Sequence, residues 1–177
     1  FYAGHGIPVE TDSQGAAEFY FLLHDVADQG DTGQLATRGI AGTEFSELAA
    51  AVPARNQLHV IDACYAGAIT TAFLTTASAT RVTLDRMSRA TGSALIAAAR
   101  AEQEAQEFPA LGQGALTYAL IQGLEGAAAA YGGDEITATM LRLYAGVSVP
   151  RLTEQYSGQA QEPTGFINGG DFPVGVR

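Results

Sequence analysis

Apolar side chains fall in short runs separated by polar, Gly-rich stretches. Phe19 to His24 (FYFLLH) is aromatic and aliphatic, ends at Asp25, and predicts a buried strand. Leu58 to Ala63 (LHVIDA) predicts a second, Ala94 to Ala98 (ALIAA) a third, and Phe1-Tyr2-Ala3 reads as part of another. Asp25 to Gly33, acidic and Gly-rich, reads as a surface loop. Thr43, with Ser46 and Glu47, opens an Ala-rich amphipathic segment that stops at Pro53, as a capped helix would. Thr117–Leu124 and Thr137–Val147 read as helices, with Thr137 as N-cap after the turn Gly132-Gly133-Asp134. Thr70 to Gly92 is dense in Ala, Ser and Thr, carries Arg81, Arg86 and Arg89, and reads as a connector. Strands alternating with helices predict an α/β domain around a largely parallel sheet buried on both faces.

Composition narrows the functions open to such a domain. With 177 residues, 47% hydrophobic and 16% charged, the chain suits a single globular core. All nine basic residues are Arg, against 19 acids, for a net charge of -10. Without Lys, a Walker-type phosphate loop, a Schiff-base enzyme and a Ser–Lys dyad are impossible. A net-acidic chain with scattered Arg is a poor partner for nucleic acid or an anionic membrane. No apolar run approaches the roughly 20 residues that span a bilayer. No leader pattern is read at the N-terminus, and the expected location is cytoplasmic. One Cys excludes an internal disulfide and a Cys-rich zinc site.

That Cys lies in Asp62-Ala63-Cys64-Tyr65-Ala66-Gly67, at the C-terminal end of a strand. A second passage, Tyr2-Ala3-Gly4-His5-Gly6, brings a His off a strand between glycines. Either residue alone is ordinarily structural: a strand Cys is usually buried and inert, and many histidines merely fill turns. Together they change the picture, because the carboxyl ends of strands in an α/β sheet form its ligand crevice. A Cys–His pair supplies the nucleophile and the base of acyl transfer. The backbone N–H groups of Gly6 and Cys64 are the candidates for holding the oxyanion. Asp62, two residues before the Cys, points to the same face of its strand, whereas the odd offset of His59 puts it on the other. His24 lacks flanking glycines and reads as a core or rim residue. Asp28 and Asp31 are too few for a calcium site, which wants six or more oxygens, so no cofactor or metal is expected.

YAGHG and DACYAG resemble the His motif and the Asp-x-Cys-x-Ser-Gly motif of caspase-like cysteine peptidases, the group of caspases, metacaspases and bacterial orthocaspases. Ile96 to Glu107, Gly114 to Leu120, Asp134 to Thr137, Gln161-Glu162-Pro163 and Asp171-Phe172-Pro173 are similar to later parts of bacterial members. Ala66 departs from the usual Ser. The resemblance implies a caspase-haemoglobinase-like three-layer α/β/α sandwich over residues 1–177, lacking its N-terminal strand and helix. It implies a large-subunit-like part at 1–75, a connector at 76–92 and a small-subunit-like part at 93–177. It further implies an endopeptidase with His5 and Cys64 as catalytic dyad, acting on protein or peptide substrates through a thioester. Asp62 would line the pocket for the residue before the scissile bond. Glu102 would be the second pocket acid, with Glu104 its nearest rival, and both would favour Arg or Lys there. Arg86, Arg89 or Arg81 would be a self-cleavage site. Two other classes are weighed: a non-catalytic caspase-like interaction module, against which the intact His5 and Cys64 argue, and a dinucleotide-binding domain, for which no G-x-G-x-x-G exists.

Overall fold

The computed structural model describes residues 1–10, 17–70, 72–73, 92–129 and 134–176. At its centre is a mainly parallel sheet in the order β1-β5-β6-β10, formed by Tyr2–Ala3, Asn56–Asp62, Gly92–Ala97 and Thr164–Asn168. β1, β5 and β6 run parallel, and β10 closes one edge antiparallel to β6, with Thr164 opposite Ala97. The apolar runs LHVIDA and ALIAA are the two inner strands. Their alternation sorts the core into two faces. Val60 and Ile96 pack with Leu116, Leu120, Leu141 and Val149, whereas Ile61 and Leu95 pack with Phe19, Phe21 and Ile69.

The first face is covered by α3 (Ala115–Gln122) and α4 (Ala138–Ser157). Thr137 caps α4 as expected, accepting a hydrogen bond from the Met140 N–H. α4 runs ten residues beyond the expected end at Val147 and passes through Pro150. Pro150 has no N–H to donate to the preceding turn, and the burial of Val149 and Thr153 holds the helix together across that gap. The second face is covered by α2 (Gly42–Ala51) and by a small antiparallel sheet that the apolar pattern does not announce. That sheet joins β2 (His5–Glu10), β3 (Ala17–Leu22) and β4 (Ile40–Ala41). FYFLLH is thus a strand, with Phe19 and Phe21 buried, but it lies outside the central sheet.

Three local expectations change. The loop read over Asp25–Gly33 ends in a helix, α1 (Thr32–Arg38), whose N-cap is Asp31; its carboxylate accepts from the Gly33 and Gln34 N–H groups. Asp28 likewise accepts from the Gly30 N–H, so both acids serve their own turns. The N-cap of α2 is Ala41, not Thr43; the Thr43 amide and hydroxyl both donate to Glu18 on β3 instead. The connector at 76–92, with Arg81, Arg86 and Arg89, lies outside the described residues except for Gly92, which opens β6. No described helix is long and apolar enough to cross a membrane.

Candidate active site

β5 ends at Asp62, and the chain then turns sharply. Tyr65 adopts the left-handed conformation (φ 57°), which bulky residues rarely take, and leads into a single 3₁₀ turn, Ala66–Ala68. Gly67 is needed there. A Cβ on it would lie 2.6 Å from the Ala101 nitrogen and 2.8 Å from the Ala99 oxygen, so the turn closes directly onto the loop after β6. The same loop supplies the acceptor for the Tyr65 N–H (Gln103 O, 2.8 Å) and for its hydroxyl (Glu104 Oε1, 3.0 Å). That carboxylate pushes the Tyr65 phenol pKa upward. Cys64 is half-buried at the head of the turn, with Sγ 3.9 Å from the Ala105 carbonyl oxygen.

His5 arrives from the neighbouring strand. The β1–β5 register sets Ala3 opposite Asp62, and the Gly4 N–H continues the ladder to the Asp62 carbonyl at 3.1 Å. The chain then leaves the central sheet at Gly4 and enters the β2–β3 hairpin at His5, whose ring is exposed. His5 therefore opens a strand rather than only closing one. The Tyr2 hydroxyl donates toward the His5 carbonyl (2.7 Å) and the Leu22 carbonyl (3.0 Å), tying the hairpin mouth to β1. Gly6 is buried against Phe19, and a Cβ on it would lie 3.0 Å from the Cys64 carbonyl oxygen. The Gly6 backbone thus abuts the Cys64 carbonyl, and His5 and Cys64 lie on the segments that leave the carboxyl ends of β1 and β5.

Asp62, the last residue of β5, turns its side chain toward α3. Its side chain is 7% exposed, and Oδ2 accepts from the Thr117 N–H at 3.0 Å and from the Thr117 hydroxyl. The carboxylate thereby caps the first turn of α3 across the sheet. Burial raises its pKa, the Thr117 bonds oppose that rise, and the negative charge of Glu107 adds to it. Glu107 stands on β7 (Glu107–Phe108), which pairs with β8 (Gln113–Gly114) just before α3. Glu107 is a candidate that the sequence reading did not single out. Glu102, expected as the second pocket acid, is exposed on the preceding loop, and Glu104 is engaged by Tyr65. The available signal was the α3 cap itself: Glu107 stands on the hairpin leading to Thr117, and its charge adds to the upward shift of the Asp62 pKa.

The other histidines stand apart from this site. His59 is half-buried between the rings of Phe45 and Phe73, on the opposite face of β5, and burial lowers its pKa. His24 is exposed. Among the described residues no group of three or more His, Cys, Asp or Glu could hold a metal ion.

No protein-family model matches the chain, and no curated protein matches it. A crystal structure of a protein from Geobacter sulfurreducens is similar to it, with a TM-score of 0.54 at 16% sequence identity over 96% of this chain. The chain spans 64% of that protein's length, and at such identity the likeness speaks for the mixed α/β fold alone.

Proposed function

We propose that this chain is a cysteine endopeptidase of the caspase-like group, built on its three-layer sandwich and cleaving after Arg or Lys. The observation that carries the reading is the placement of His5, Gly6 and Cys64 at adjacent strand ends, with Gly6 seated against the Cys64 carbonyl. Two nearby features support it: the half-buried thiol-bearing turn is strained at Tyr65, and the adjacent carboxylate Asp62 is buried, with its pKa raised by that burial and further by the charge of Glu107.

In this mechanism His5 removes the Cys64 proton and the thiolate attacks the scissile carbonyl carbon, forming a C–S bond. The N–H groups of Gly6 and Cys64 hold the oxyanion. Collapse breaks the C–N bond, and the His5 imidazolium gives its proton to the leaving amine. Water, deprotonated by His5, then attacks the thioester; the C–S bond breaks, the acid departs and Cys64 is restored. Asp62 receives the cationic side chain before the scissile bond, with Glu107 taking the second role first expected of Glu102.

The test uses a fluorogenic Arg peptide and a thiol-reactive peptide ending in Arg, both in reducing buffer. Wild type should hydrolyse the first and be labelled by the second at Cys64. Cys64→Ala should lose both, and His5→Ala should lose hydrolysis by at least about a thousandfold, with both variants folded. Turnover by Cys64→Ala comparable to wild type sinks the dyad. A wild-type thiol that neither reacts nor supports hydrolysis points instead to a non-catalytic interaction module.

A further inference from the structure

Gln161 lies on the far side of the molecule's sequence from both motifs, yet its side chain is fully buried beside the site. A buried primary amide must satisfy both of its ends or weigh heavily against folding. Gln161 does so with backbone alone. Nε2 donates to the Ala98 carbonyl at 2.8 Å, and Oε1 accepts from the Gln106 N–H at 2.6 Å. Its own N–H donates to the Thr153 hydroxyl of α4 at 2.8 Å, which fixes the clamp to a rigid helix.

The two clamped groups are the two ends of one loop. Ala98 follows the last residue of β6, and its N–H still bonds the Ile61 carbonyl of β5. Gln106 precedes β7, and its carbonyl accepts from the Ala115 N–H at the start of α3. Between them, residues 99–105 form the wall of the Cys64 turn: Ala99 to Ala101 against Gly67, Gln103 and Glu104 on Tyr65, and Ala105 on Sγ. A second glutamine holds the middle of that wall. Gln103 donates to the Ala160 carbonyl (2.7 Å) and accepts from the Glu162 N–H (2.9 Å). The wall is therefore fastened to the 160–162 segment by side-chain amides, where a sheet would have used a ladder.

We infer that Gln161 is a positioning residue for the cysteine site: it closes the mouth of the 99–105 loop and so fixes the carbonyls of Ala105 and Gln103 against Cys64 and Tyr65. The catalytic consequence rests on the proteolytic reading above; the effect on the thiol does not. Releasing the loop should free Sγ from its cover and loosen the left-handed turn, so that a small alkylating agent reaches Cys64 faster while an aligned substrate reacts more slowly. Misplacement by about 1 Å typically lowers such rates by up to a hundredfold.

The experiment compares wild type with Gln161→Met, which keeps the volume and removes both bonds, and with Gln103→Met, which releases the same wall from a less buried position. Val149→Ala, on the buried face of α4, serves as a control for general destabilisation. Cys64 is the only thiol, so iodoacetamide alkylation reports it alone. At matched temperature below melting, both Met variants should alkylate at least about fivefold faster than the control, and kcat on the Arg peptide should fall about 10- to 100-fold with KM little changed. Should Gln161→Met not fold, Gln103→Met carries the same expectation. Alkylation within twofold of the control in a folded variant overturns the inference. Accelerated alkylation in a protein whose wild type never cleaves the peptide keeps the positioning role and overturns the proteolytic one.

Discussion

Asp62→Asn separates the charge of the pocket from its shape. Asn retains a carbonyl oxygen that can accept both Thr117 bonds, so the α3 cap survives and the side chain keeps its volume. What disappears is one negative charge, 7% exposed, at the position assigned to a substrate cation. Truncating one partner of a buried, hydrogen-bonded charge pair costs about 2–5 kcal/mol. Glu107, whose charge reaches Asp62, is itself exposed to water, which favours the lower part of that range. About 2–4 kcal/mol corresponds to a loss of roughly 30- to 1,000-fold in kcat/KM for an Arg peptide. A matched peptide with Met in place of Arg should change little. Stability should move the other way. Burial raises the folded-state pKa of Asp62 above its ordinary 3.8. The folded chain therefore holds this proton to higher pH than the unfolded chain does. Stability from this group falls as pH rises through that window, and the penalty stays at neutral pH. Asn carries no such penalty, so the variant should melt no lower than wild type at pH 7, with its relative advantage growing from about pH 4 upward. Peptide kinetics and thermal melts across pH read both effects. A folded Asp62→Asn protein that still prefers Arg over Met by the wild-type factor refutes the pocket assignment.

Gly67→Ala should destabilise by about 2–3 kcal/mol, because the new methyl meets backbone rather than a movable side chain, and the melting temperature should fall by roughly 5–10 °C. An unchanged melt would mean that the turn and the 99–105 loop are not pressed together. Incubated wild type should cut itself after Arg86 or Arg89, with Arg81 a third choice, while Cys64→Ala stays whole; mass spectrometry of the fragment termini reads the sites. A wild-type chain that remains intact while cleaving an Arg peptide removes self-processing and leaves the peptidase standing.

The inner strands were legible because their environment is simple. β5 and β6 are covered on both faces, so each is one apolar run bounded by polar residues. The small sheet was not, because β2 (HGIPVE) is half-buried, carries Pro8, and is held by its pairing with β3 rather than by its own pattern. α1 hid inside an acidic stretch whose Asp31 is a cap, and the Thr43 side chain, which looks like a cap in sequence, turns to Glu18 instead. At the site, His5 and Cys64 stand out because glycines crowd them, and those glycines prove to be contact points. Glu107 was not legible, because its influence on the Asp62 carboxylate depends on a two-residue hairpin that no periodicity can reveal.

The parallel pairing of β1 with β5 has a consequence for the newly made chain. Parallel partners need a long crossover, and here Ala3 meets Asp62 only after three strands of another sheet and two helices have intervened. Contacts so distant in sequence form against a large loop-closure entropy and come together late in folding. The imidazole and the thiol ride on the two sides of that late contact. On the proteolytic reading proposed above, a chain caught half-folded, on the ribosome or after damage, would therefore carry its base and its nucleophile on segments not yet joined, and the topology would withhold reactivity until the domain is whole.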